Sequence, residues 1–353
     1  QNAAHTFKSL RVETGGTWTA DGSNHLTLSG ENDSDFALQI VDGTYNHANG
    51  TVVINNGGGG IAHAAIQAGV GNSTTGLYDL TISGGGTICE IYGDTTIHRN
   101  MEAGGSETVL RGSLTVTGNL TINATLNTRF SSTDKNLTVA GTTQVTGTLT
   151  CNSSAISLGT GLTSGWGLDI QSGGTFNGGS ATHTIGSIFA AGGGTRTITL
   201  SSGATTIDSK NTGNGYSINL ASGATFNHGS GTVTMTYAGN TLVQLSGGTL
   251  AFNTFTYNAS GRTLELRSPM SCAGNLTLTA GTLDTKSGTN HALTVTGTTT
   301  IGPNSGAADQ ATLTCNASTI SLGSGITSSA YGLYVNQGGT FTGGSGTHTL
   351  GSV

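Results

Sequence analysis

Tyr45–Ile54 reads YNHANGTVVI, Phe176–Ile185 reads FNGGSATHTI, Phe226–Met235 reads FNHGSGTVTM and Phe341–Leu350 reads FTGGSGTHTL. The first and third share Asn-His and Gly-Thr-Val, and the second and fourth share Thr-His-Thr. A segment that recurs in the order A, B, A, B means two tandem copies of a longer unit, and a long fixed period is the mark of a repeat architecture.

The flanks carry the same duplication. FALQIVDGTYNH at Phe36–His47 matches YSINLASGATFNH at Tyr216–His228, and GNLTI at Gly118–Ile122 matches GNLTL at Gly274–Leu278. NLTVAGTT at Asn136–Thr143 matches ALTVTGTT at Ala292–Thr299, and TLTCNSSAISLGTGLTS at Thr148–Ser164 matches TLTCNASTISLGSGITS at Thr312–Ser328. Copy one is residues 1–188, ending HTIGSI, and copy two is residues 189–353, ending HTLGSV, with no linker between them. Val353 aligns with Ile188, so the reading expects an array that continues, or a subunit that continues into another chain.

A finer rhythm runs inside each copy. Short alternating strands (RTITL, YSINL, TVTMT, LTLT, TLTC) are followed by a corner of the form apolar-x-x-Gly-(x)-Thr-apolar, as at Leu200, Leu220, Leu245, Ile170, Ile82, Val335 and Val12. Glycine supplies the backbone freedom of a corner and threonine restarts a strand. Period-2 alternation on coils of about 20 residues predicts an all-β, elongated β-solenoid, or β-helix. The offset between copies falls from about 175 near Leu80 to about 156 at Gly118, the loss of roughly one coil, which a solenoid tolerates because each coil meets only its neighbours. About 17 coils at ~4.8 Å would make a rod of roughly 80 Å. A row of immunoglobulin-like sandwiches is the other architecture considered, with modules of about 100 residues.

Composition narrows the function. The 353 residues include 60 Gly, 2 Pro and only 8% charged residues, whereas ordinary domains carry about 25% charge. Glycine without a three-residue period and with so little proline excludes collagen. Eleven basic against 17 acidic residues argue against nucleic acid as a partner. No apolar run approaches the roughly 18–20 residues of a membrane span.

GGTFNGGSATHTI, GNLTLTAGTLDT and ALTVTGTTTIG resemble the glycine/threonine-rich repeats of large bacterial surface proteins and phage fibre proteins. Autotransporter passengers and filamentous-haemagglutinin-like adhesins have this general texture, and the resemblance covers the whole chain as one of style, without a diagnostic motif. The resemblance implies a β-helical protein exposed on a cell surface, on a virion or in the extracellular space, with a mechanical or adhesive role. The implied partners are further copies of the repeat along the rod axis, with surface glycans as an additional class.

Candidate chemistry is sparse. Cys89, Cys151, Cys272 and Cys315 form no CxxC or zinc spacing and are expected as buried free thiols. His47, His183, His228 and His348 recur with the repeat and are expected on a solvated face. Glu31, Asp33, Asp35 and Asp42 form the densest acidic cluster, a conceivable Ca²⁺ site, but the matching Lys210–Gly215 has no carboxylate. Glycoside hydrolysis requires paired carboxylates about 5–9.5 Å apart, and Glu90 with Asp94 is the pair considered. The frequent Thr-x-Thr raises ice binding, although the β propensity of threonine explains it. Sequons at Asn72, Asn119, Asn123, Asn136 and Asn275 permit glycosylation. The expectation is therefore a non-enzymatic structural subunit of an extracellular or virion fibre. No catalytic, cofactor-binding or metal residue is assigned and no cofactor is expected. A receptor-binding adhesin and a polysaccharide-degrading spike are the alternatives.

Overall fold

A computed structural model describes residues 5–19, 25–29, 36–41, 43–55, 62–67, 76–85, 87–130, 132–190, 192–303, 310–327 and 330–351. The protein is all-β, built on long parallel sheets. Among the described residues no helix is long and apolar enough to cross a membrane. Contacts divide the chain into two compact units, Gln1–Gly159 with Gly173–Ser180, and Thr160–Ser172 with Ala181–Val353.

In the first unit strands stand in columns, pairing in parallel with strands about 20 residues further along the chain. One column runs through Thr95–Ile97, Leu114–Val116, Leu137–Val139 and Ile156–Leu158. Its steps are 19, 23 and 19 residues (95 to 114 to 137 to 156). A second links Asp79–Ser83, Met101–Ala103, Leu120–Ile122 and Thr143–Val145. A third links Thr87–Tyr92, Glu107–Leu110, Thr125–Asn127, Thr148–Thr150 and Thr175–Asn177.

Registration explains the alternating pattern of the sequence. Side chains of a strand alternate between faces, so a three-residue strand apolar-polar-apolar turns two side chains inward and one out. Ile97, Val116, Val139 and Leu158 stack in one buried file, and Ile82, Ala103, Ile122 and Val145 in another. Leu126, Leu149 and Phe176 continue a third above buried Thr108.

The second unit follows the same rule with less regular steps. Ile185, Ile207, Met235, Tyr257, Leu278, Ile301 and Val335 form one file. The step from Ile185 to Ile207 is 22 residues, and that from Ile301 to Val335 is 34. The ladder itself is kept across both steps. Phe252, Cys272, Val295, Leu322 and Leu350 form another file.

One short pairing is antiparallel, the hairpin Arg129–Phe130 with Thr133–Asp134, closed by an Arg129–Asp134 ion pair at 3.0 Å. Parallel ladders of this extent exclude the immunoglobulin-like sandwich, whose strands are antiparallel.

The duplicated sequence carries duplicated geometry at its corners. Thr128 donates to the Cys151 carbonyl at 2.7 Å in the first unit, as Thr285 does to the Cys315 carbonyl at 2.7 Å in the second. Beside them Asn152 and Asn316 adopt left-handed φ of 51° and 50°. Gly179 and Gly344 lie over the carbonyl oxygens of these two asparagines, so closely that a Cβ would fall onto the oxygen, and both glycines have positive φ.

Two substitutions test this account by thermal or denaturant melts. Leu126→Ala should cost about 2–5 kcal/mol because the file cannot close over the lost volume. Gly344→Ala should also destabilise, by more than the ~1 kcal/mol of an ordinary unfavourable backbone exchange, since steric overlap adds to a left-handed φ.

Candidate functional site

Glu90 and Asp94 are each bound into the neighbouring layer. Glu90 accepts from Arg111 Nη2 at 2.6 Å and from the Tyr92 hydroxyl at 2.8 Å, and the Arg111 guanidinium lies 4.6 Å from the Tyr92 ring centroid. The Glu90 side chain is only 12% exposed. Asp94 Oδ1 accepts the backbone N–H of Ser113 at 2.8 Å. These bonds reach 21 and 19 residues along the chain, which is one layer.

The same use of polar side chains recurs through the first unit. Asp79 Oδ1 accepts from the backbone N–H of Asn100 at 2.9 Å, Asn100 Oδ1 from that of Asn119 at 3.0 Å, and Asn119 Oδ1 from that of Thr142 at 2.9 Å. A second ladder has Asn127 donating to Glu107 at 3.3 Å and Asn152 donating to Asn127 at 2.8 Å. A third has Asn123 donating to Glu102 at 2.7 Å and Thr146 donating to Asn123 at 2.9 Å. In the second unit Asn240 and Asn275 accept from the N–H groups of Thr263 and Thr298, each at 2.9 Å. Short amide side chains meet corner N–H groups that the strand ladder leaves unpaired.

Sequence reasoning missed Asp79, Asn100 and Glu102 as a group. The available signal was an asparagine placed immediately before a short strand, as in Asn100-Met101, Asn119-Leu120 and Asn275-Leu276. The sequons Asn119, Asn123 and Asn275 are themselves ladder members, and Asn72 lies outside the described residues.

Beside the first ladder a shallow depression of about 370 Å³ is lined by Asp79, Arg99, Asn100, Glu102, Asn119 and Thr121. Arg99 pairs with Asp79 at 3.3 Å and lies 5.3 Å from the Tyr78 ring centroid. His47 stacks on Tyr78 at 5.4 Å and lies 5.3 Å from His98. The lining is polar and suits a hydroxyl-rich ligand.

The histidines divide. His183 is fully buried, which corrects the expectation of a solvated face. It holds the first inward position of His183–Ile185 and lies opposite Thr205, so strand alternation carries it into the interior. His47, His228 and His348 are half-buried. His47 Nδ1 accepts the N–H of Asn49 at 3.1 Å and His228 Nδ1 that of Ser230 at 2.9 Å, so the repeated Asn-His is a turn device present in both units.

All four cysteines are buried free thiols. Burial pushes Cys272 and Cys315 up to about 12, and raises Cys89 and Cys151 as well. A thiol is a nucleophile only as thiolate, so these side chains act as small core residues. Glu31, Asp33, Asp35 and Asp42 lie outside the described residues. Among the described residues no group of three or more His, Cys, Asp or Glu side chains is placed to hold a metal ion. In the outward file Thr96, Thr115 and Thr138 are followed by Ser157, and another outward file alternates Thr81, Glu102, Thr121 and Gln144, so the threonine run is broken in both.

Compared with known proteins, the chain matches no family model, no curated protein and no solved structure.

The His47 turn generates a pH dependence. Burial, with His98 alongside, holds the imidazole below its ordinary value of 6.5. The unfolded chain therefore takes up this proton first as the pH falls. The contribution to stability is complete above the ordinary value and is lost as the pH drops towards the lower folded value. Melting temperature should fall between about pH 8 and about pH 5, and His47→Gln should flatten part of that fall in melts across the range.

Proposed function

We propose that this chain is a non-enzymatic structural segment of a fibre on a cell surface, on a virion or in the extracellular space. In this reading the columns are the walls of a β-solenoid with coils of about 20 residues, lengthened where loops leave at the corners. The observation that carries the proposal is the use made of the outer polar groups. Asp79, Asn100 and Asn119 bond the next layer, as do Glu90, Asp94, Glu102 and Glu107. Carboxylates engaged in this way strengthen the stack and are poorly placed to transfer protons to a substrate. Buried thiols and scarce charge suit a passive, exposed filament. The likeness in texture to bacterial surface and phage fibre repeats agrees with this assignment.

A second reading, glycan attachment, is favoured by the polar depression beside Arg99 and Asn119. Screening the chain on a glycan array distinguishes it from a purely mechanical role.

Negative-stain microscopy of the purified chain tests the proposal, together with a polysaccharide-depolymerase screen. Uniform slender rods or filaments and no depolymerase activity are expected. Compact particles would overturn the fibre reading, as would a depolymerase activity abolished by Glu90→Gln and Asp94→Asn.

A further inference from the structure

Six of the seven arginines are placed where their charge is met, and one is not. Arg11, Arg99, Arg111, Arg129 and Arg267 each pair with a carboxylate, from Glu13, Asp79, Glu90, Asp134 and Glu265, and Arg262 is exposed. Arg196 is 1% exposed. Its Nε and Nη1 are buried and hydrogen-bonded to nothing among the described residues, and none of the ion pairs there includes it. A guanidinium keeps its charge at any working pH, and an uncompensated charge in the interior is strongly destabilising.

Strand alternation puts this side chain inside. In Arg196–Thr199 the first and third residues are buried and the second and fourth half-buried, so Arg196 shares the inward phase of Ile198. In the ladder Arg196 lies opposite Ala224, and Ile198 opposite Phe226. A single methyl group opposite leaves room for the guanidinium, and the Ala224 side chain supplies it no acceptor.

The guanidinium abuts a corner built almost entirely of glycine, Gly192-Gly193-Gly194-Thr195. Nη1 lies 3.6 Å from the point where a Cβ of Gly192 would stand. Gly192 and Gly194 have φ of 96° and 89°, and Gly193 between them does not share the positive sign. Alternation of this kind turns successive N–H groups to one side and makes a concavity for anions. None of these three N–H groups is bonded in the turns and loops of the described residues. A Cβ on Gly194 would fall on the Ser172 hydroxyl, which therefore stands at the rim as a further donor. Residues 192–195 are all exposed, and a Cβ on Gly193 would meet open space, so the guanidinium is one backbone thickness from solvent.

We propose that Arg196 and the Gly192–Gly194 corner form a binding site for a carboxylate. A planar guanidinium meets the two oxygens of a carboxylate with parallel N–H···O bonds. The single negative charge balances the single buried positive charge, whereas a phosphate dianion would leave one in excess. The corner N–H groups and the Ser172 hydroxyl serve the remaining lone pairs. The carboxylate comes from a small free acid or from the uronic acid units of an acidic polysaccharide, and the corner admits either because Gly192 sets no side chain over Nη1. The site lies within the second unit and does not depend on the fibre reading.

Melts of the whole chain in sodium acetate and in sodium chloride at equal ionic strength test the site. Acetate should raise the melting temperature above that in chloride, because a ligand of the folded state alone stabilises it by mass action. Arg196→Met keeps the stem without the charge, so it should melt higher than the parent chain in chloride and gain nothing from acetate. Arg196→Lys keeps the charge without the fork and should weaken acetate binding roughly tenfold. Where Arg196→Met does not fold, titration of the unaltered chain decides. One arginine Nε–H resonance in the nitrogen NMR spectrum, assigned by its loss in Arg196→Lys, should shift and saturate with acetate. Trigalacturonate in place of acetate separates the two sources: a saturating shift with both assigns the site to an acidic polysaccharide, and a shift with acetate alone to a small acid. Chloride as effective as acetate overturns the proposal, as does an acetate effect that survives Arg196→Met. An arginine Nε–H spectrum that acetate leaves unmoved overturns it too.

Discussion

Parallel pairing between strands roughly 20 to 30 residues apart is the constraint on which everything else in this protein depends. Each residue of a paired strand then lies opposite a residue roughly 20 to 30 places earlier, so inward positions that share a file are mostly apolar, with buried threonines and His183 as exceptions. Ile97, Val116, Val139 and Leu158 obey this in the first unit, and Ile207, Met235, Tyr257 and Leu278 in the second. Steps between paired strands vary in length without loss of pairing, since the cost of a longer loop grows only slowly. The 34-residue step from Ile301 to Val335 preserves register as well as the 19-residue step from Thr95 to Leu114.

The segments between strands impose a second demand, since they carry N–H and carbonyl groups that no strand pairs. Short amides and carboxylates meet it. Asn100 and Asn119 each accept from the backbone of the following layer, and Asn275 repeats the arrangement in the second unit. A low content of charged residues and a high content of asparagine, serine and threonine are the composition of a surface whose polar groups bond along the stack.

Much of this was legible beforehand, and the reasons are specific. The A, B, A, B segments led to two copies with common corners, and the Thr128–Cys151 and Thr285–Cys315 bonds display that likeness atom by atom. Alternation in LTV, LTI and TLT marked inward and outward positions because a strand has a period of two. His183 was misjudged because a polar residue at an inward phase was weighed by its type rather than its place in the alternation. Glu90 and Asp94 are close in sequence, but their partners Arg111 and Ser113 belong to the next layer, which no local spacing discloses.

By itself, then, the sequence determined that the chain is all-β, duplicated and strand-alternating, because propensity, period and repetition act locally and leave a direct trace in residue order. Tertiary structure alone decided which layer lies on which, since register depends on contacts between residues 19 to 34 positions apart and on loops of unequal length. It also decided that Asp79, Arg99 and Glu102 share one depression and that His183 is buried where His47 is half-buried. Such groupings are set by the neighbouring strands and not by the residue type.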